Sequence, residues 1–226
     1  MKLLIVNKVV YLSMILPIIY HWIKHRNRGG WLMAPLFLCW AADLSGFILI
    51  DFFGEWPVTK TMIYYNVNVL LSLFVFGSLI ENKTLYRTAL WLTIGGMLAA
   101  MFHVTFILGL ERTSLYNSTA NSGLLGAVMI AVPLLLELDN VIRTKHRLAA
   151  PIRIINRLWI LYYSIGYLKW TYGSTKYFLM PTAIPDWFEP FRMILHIAAY
   201  IILGVGYFYI AHRYNLKKCW QEELKY

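Results

Sequence analysis

The chain has 226 residues, of which 59% are apolar, 16% aromatic and only 14% charged. A soluble globular domain carries about 25% charged and about 45–50% apolar residues, so this composition excludes an ordinary soluble enzyme, a disordered regulator and a nucleic-acid module. The formal net charge is +10, from 21 Lys and Arg against 11 Asp and Glu; the basic residues cluster between apolar runs, as the positive-inside bias of a membrane protein requires.

From the N-terminus onward, seven apolar stretches are each about long enough to cross a hydrocarbon core of about 30 Å. They are 3–23, 31–53, 62–80, 89–110, 122–138, 158–178 and 191–212. Backbone amides in lipid have to be satisfied within the segment, so each stretch is expected to be a helix. No run of alternating polarity suggests a β-barrel. The first stretch ends in Lys24, His25, Arg26 and Arg28 with no small-residue cleavage site, so a retained helix is expected rather than a leader. The fifth stretch is expected to be the shortest and the sixth the most aromatic.

The loops set an orientation. One side would carry Lys24, Arg26 and Arg28, then Lys83 and Arg87, then Arg143, Lys145, Arg147, Arg153 and Arg157, and finally Arg213, Lys217, Lys218 and Lys225 in the tail. The other side would carry Lys2, Lys8, Lys60, Arg112, Lys176 and Arg192. The imbalance places the N-terminus outside and the C-terminus in the cytoplasm. Trp31, Trp56, Tyr86, Trp91, Trp187 and Tyr214 lie near span ends, where amphipathic rings favour the headgroup layer. Residues 178–190, with Pro181, Pro185, Pro190, Trp187 and Phe188, are expected to fold over the outer mouth. The expected fold is therefore all-α: a polytopic seven-transmembrane-helix bundle forming a single domain over 1–226, with no soluble domain.

Chemistry in such a chain has to come from intramembrane polar residues, because an ionisable group near the bilayer centre costs about 2.5–3.5 kcal/mol and is retained only for a reason. Asp43 lies near the middle of the second span and Lys169 near the middle of the sixth. Asn66 lies in the outer third of the third, His103 in the outer half of the fourth, and His196 in the outer third of the seventh. These five are the candidate ligand- or ion-binding residues, with Asp43 and Lys169 as an opposite-charge pair at compatible depths. The bland alternative is that each serves as packing glue between helices. Helical spacing favours inward faces: His103 lies with Gly96, Ala99 and Ala100, Lys169 with Tyr162, Gly166 and Gly173, and His196 with Ala199, Tyr200, Leu203 and Tyr207. His103 and His196 match in depth, as do His21 and His212, which is what a bis-histidine haem pair would need. No nucleophile, phosphate loop or metal motif singles out a catalytic or metal-binding residue. Cys39 and Cys219 are expected far apart in depth and unpaired.

Length, seven spans and an outward N-terminus resemble the microbial rhodopsins in size and topology. That family holds retinal through a lysine in its seventh helix; here 191–212 contains none and Lys169 is in the sixth span, so retinal is not carried over. Tyr11-Leu12-Ser13 with Leu16-Pro17, and Tyr64-Tyr65-Asn66 opening the third span, resemble a group of short bacterial seven-helix membrane proteins of unassigned function. That resemblance implies a receptor-like or sensor-associated protein of the bacterial inner (cytoplasmic) membrane without an output domain of its own.

Three functions are compatible with these features. The first is a sensor or receptor-like subunit with a small-molecule ligand in a mid-to-outer pocket, acting through a separate cytoplasmic or membrane signalling protein at 139–157 and 213–226. The second is a proton- or ion-coupled small-solute transporter. The third is a non-catalytic subunit of a larger complex or a homo-oligomer. The lipid bilayer is a partner in each case and nucleic acid in none.

Overall fold

The computed structural model describes residues 2–26, 30–53, 58–103, 115–143, 147–174 and 187–225. Among these the regular structure is entirely helical: α1 Lys2–Ser13, α2 Ile15–His25, α3 Ala34–Phe53, α4 Val58–Val75, α5 Lys83–Phe102, α6 Leu115–Ile142, α7 Ala150–Ser174, α8 Phe188–Arg213 and α9 Leu216–Glu223. Short 3-10 turns at Trp31–Met33 and Gly77–Leu79 precede α3 and follow α4.

Four stretches, Trp31–Leu49, Lys83–Phe102, Gly123–Ile142 and Pro190–Arg213, are long and apolar enough to cross a membrane, and a shorter apolar helix covers Ile63–Leu79. The stretch expected as one helix over 3–23 is two, because Pro17 has no amide to give the Ser13 carbonyl and the chain breaks at Met14. The Ser13 hydroxyl turns back to the Val10 carbonyl at 2.7 Å. Helix α6 reaches well beyond 122–138 at both ends and at 28 residues is the longest of the described helices, not the shortest. Polar residues such as Asn121, Glu137, Asp139 and Asn140 end a hydropathy run without ending a helix. Residues 178–186 of the expected outer cover lie outside the described residues.

Helix contacts define a ring. Helices α1 and α2 pack on α3, α3 on α4, α4 on α6, α6 on α7, α7 on α8, and α8 closes onto α1 and α2. Helix α5 packs against α4 and α6 from outside and buries far less of its apolar length than α6 does. The core inside the ring includes Leu32, Leu36, Phe76, Met129, Leu136, Trp159, Tyr163 and Tyr207. Helix α9 tucks beneath one end, with Leu216 and Trp220 buried. Gly30, at φ 67°, allows this: a Cβ added there would stand 2.8 Å from the Lys217 Cα.

That same end is fastened by polar contacts. The Asp139 carboxylate accepts the amides of Glu81 and Asn82 at 3.1 and 3.0 Å and Nε of Arg143 at 2.9 Å. Arg143 also pairs with Glu81 at 2.8 Å and donates to the Leu79 carbonyl. Asn82 caps α5 by accepting from Thr84 and Leu85. The Glu223 carboxylate accepts the Ala149 amide at 2.8 Å, just ahead of α7. Lys24 and His25 of α2 bond the carbonyls of His212 and Ala211 at the end of α8, and the buried ring of His21 accepts the Leu216 amide at 3.1 Å.

The Asp139 side chain is 1% and that of Arg143 4% exposed, so removing either takes from the other, while still buried, its most enclosed charged partner, leaving Arg143 only the half-exposed Glu81 and Asp139 only two amides. We expect Asp139→Ala and Arg143→Ala each to destabilise the chain by about 3–5 kcal/mol, measured by thermal unfolding in detergent, with the double variant little worse than either single one.

Candidate functional site

Five helices bring polar side chains to one place in the ring interior. Tyr11 comes from the last turn of α1, Cys39 and Asp43 from successive turns of α3, Tyr64 from α4, Tyr162 from α7, and His196 and Tyr200 from successive turns of α8. Residues four apart lie on one helix face, which is why α3 and α8 each supply two members. Tyr200 Oη donates to the Asp43 carboxylate at 2.7 Å, and Tyr162 Oη donates to Tyr200 Oη at 2.7 Å. Cys39 Sγ donates to Tyr162 Oη over 3.8 Å and lies 3.0 Å from Tyr64 Oη. From Cys39 onward each donor points the same way, through Tyr162 and Tyr200 to Asp43, with Tyr64 against the Cys39 end. A string of this kind polarises along its length and steadies a negative charge at its terminus.

A second bond joins Tyr11 Oη to His196 Nδ1 at 2.6 Å. Ring contacts tie the two halves together: Tyr11 and Tyr200 have centroids 4.1 Å apart, and His196 stands edge-on to Tyr200 at 5.0 Å. Phe47, one turn beyond Asp43, stacks on Tyr11 at 5.9 Å and carries the Lys8 ammonium 5.5 Å from its centroid. Tyr11, Tyr162, Tyr200 and His196 are all buried, whereas Asp43 and the rest of 41–47 are only half-buried. The carboxylate therefore sits at the accessible margin of an otherwise closed network. Deeper in the ring, Trp159 Nε1 donates to Tyr207 Oη at 2.6 Å, and Tyr207 donates to the Leu32 carbonyl at 2.8 Å.

Of the residues expected in the site, Asp43 and His196 are brought together. Asn66 is half-buried on α4, two residues and about 200° of helix rotation from Tyr64, so Tyr64 rather than Asn66 bonds Cys39. His103 ends α5, on the outside of the ring, and so stands apart from the α3–α7–α8 seam. The side chain of Lys169 lies outside the described residues, and with it the expected pairing to Asp43. Among the candidates for haem ligation, His196 is bonded to Tyr11, His21 to the Leu216 amide and His212 to Tyr20. No group of three or more His, Cys, Asp or Glu able to hold a metal ion occurs among the described residues.

The members that sequence reasoning did not assign to the site are Tyr11, Cys39, Tyr64, Tyr162 and Tyr200. Their signal was present: the chain has 16 tyrosines, and a tyrosine at mid-span needs a partner for its hydroxyl once buried. Tyr162 and Tyr200 lie on the inward faces expected for Lys169 and His196, though not themselves named as site residues.

Two measurements check this geometry. Tyr200→Phe deletes a donor to a carboxylate and is expected to destabilise by about 1–2 kcal/mol, with Tyr200→Phe and Asp43→Asn coupled in a double-mutant cycle. Cys39 is 1% exposed, whereas Cys219 on α9 is half-buried; burial, reinforced by Glu222, pushes the Cys219 thiol above its ordinary range. Because only the thiolate reacts, maleimide is expected to modify Cys219 slowly near neutral pH and faster as pH rises, leaving Cys39 untouched until unfolding.

Comparison with protein-family models, with curated proteins and with solved structures found no match to this chain.

Proposed function

We propose that this chain is an integral membrane receptor-like subunit: a seven-helix bundle with its N-terminus outside and its C-terminus in the cytoplasm, in a bacterial inner membrane. A small polar ligand entering from the outer half engages Asp43 and the Tyr11–His196 and Tyr162–Tyr200 pairs. The response passes to a separate cytoplasmic or membrane partner at the tail.

The observation that carries this reading is the broken first helix. Tyr11, in the last turn of α1, bonds His196 inside the site. Just past the break at Met14, α2 runs to Lys24 and His25, which hold the end of α8, and through His21 it holds the first amide of α9. A groove of 260 Å³ beside the break, lined by Val10, Met14, Pro17, Gly204, Val205 and Phe208 among others, gives α1 and α2 room to change their mutual angle. Met14 itself leans on Gly204, where an added Cβ would stand 2.9 Å from its terminal methyl. A ligand that binds one setting of Tyr11 better than another would bias this joint, by no more than its differential affinity for the two settings.

Thermal-shift screening of the purified full chain against small amines, alcohols and carboxylates tests the reading. Compounds that stabilise the wild type are expected to lose most of that effect with Asp43→Asn and Tyr11→Phe. Stabilisation that survives both substitutions would place the ligand elsewhere and sink the proposed site.

The same break favours a second reading, a proton- or ion-coupled transporter, because discontinuous helices beside a polar midplane site are a device of that class. Gradient-dependent uptake into proteoliposomes, abolished by Asp43→Asn, would establish transport in place of sensing.

A further inference from the structure

Where α2, α8 and α9 meet, the surface is basic and aromatic together. Lys24 donates to the His212 carbonyl, and the Arg213 guanidinium lies 4.8 Å from the centroid of the Tyr209 ring. Helix α9 has turned Leu216 and Trp220 into the bundle, so Lys217 and Lys218 face outward, the latter 74% exposed. Of the acidic groups of α9, Glu222 forms an exposed ion pair with Lys218 at 3.8 Å, which is worth little in water, and Glu223 is engaged by the Ala149 amide. On α2 and α8, within about one turn of Lys24 and Arg213, Trp22, Ile23 and Tyr209 are exposed. Large apolar side chains next to cations match the boundary between acyl chains and phosphates: rings on one side of it, ammonium and guanidinium groups on the other.

We infer that Lys24, Arg213, Lys217 and Lys218 form a binding site for the headgroups of anionic phospholipids, which clamp α9 against the end of the bundle. Charge alone would also suit an acidic protein. The lipid is favoured because exposed apolar side chains adjoin Lys24 and Arg213 on their own helices, and a soluble partner would leave those side chains without cover. Because α9 spends its apolar face on the bundle, it acts as a cationic shelf at the headgroup layer and does not insert. The site rests on the membrane placement proposed above but not on the ligand site at Asp43.

The test uses the full chain in nonionic detergent, titrated with phosphatidylglycerol or phosphatidylcholine, with retained lipid read by native mass spectrometry and stability by thermal unfolding. Phosphatidylglycerol is expected to be retained in preference and to raise the unfolding temperature, both effects shrinking at high salt. Each basic residue removed is expected to weaken retention about fivefold, read first in the exposed pair Lys217→Gln/Lys218→Gln and then with Arg213→Gln added. Equal retention of the two lipids, or no loss in the Lys217→Gln/Lys218→Gln variant, overturns the inference. So does equal stabilisation by inorganic phosphate or by polyglutamate. Flotation with pure phosphatidylcholine vesicles separates the failures: a chain that does not float refutes the membrane placement, whereas one that floats but is indifferent to phosphatidylglycerol refutes the headgroup site alone.

Discussion

A carboxylate inside an apolar bundle has to be met by donors from other helices, and the way Asp43 is met organises the interior of this molecule. Its immediate donor, Tyr200, is itself supported by Tyr162, and Tyr162 by Cys39, which in turn meets Tyr64. Four helices are thereby joined through one charge. Helices in lipid gain little from hydrophobic burial against each other, so interhelical hydrogen bonds and close packing carry more of the specificity. Deleting Asp43 would leave a row of buried hydroxyls with no common terminus, and the register of α3, α7 and α8 would lose the contact that most narrowly defines it.

The two ends of the bundle are fastened differently. At one end, Asp139 and Arg143 lock the α4–α5 connection to α6, Glu223 secures the entry to α7, and Lys24, His25 and His21 bind α2 to α8 and α9. Further along the ring, the described contacts of α1 with α8 run through side chains such as Tyr11 and His196. The break at Met14 falls between the two regions, so it separates the part of the first helix that faces the polar site from the part that is tied down.

The all-helical character was legible in the sequence, for reasons that also explain what was not. Apolar runs marked where most of the described helices lie, and Asp43 and His196 stood out because ionisable groups within an apolar span are expensive. The tyrosines did not stand out, since at helical spacing a buried Tyr has the same signature as a core ring, and only coordinates reveal which hydroxyl meets which. His103 does not join the site because, although its small-residue neighbour Gly96 does face another helix, with Val128 of α6 against it, α5 packs outside the ring. The length of α6 was hidden by polar residues that a helix tolerates. Helix α9 was hidden by its shortness: only Leu216 and Trp220, four residues apart, mark its buried side.

The ring closes between the first helix and the last, and that has a consequence for how the chain is made. Tyr11 and His196 are 185 residues apart, and the Leu216 amide that His21 accepts is 195 residues away. At about 5–20 residues per second, translation leaves the first helix in place for about 10–40 seconds before its partner emerges. Throughout that interval the hydroxyl of Tyr11 and the ring of His21 have to be tended by water, lipid headgroups or an insertion chaperone. Closure of the ring therefore waits on the synthesis of α8, and a nascent chain halted before it lacks the partner of Tyr11.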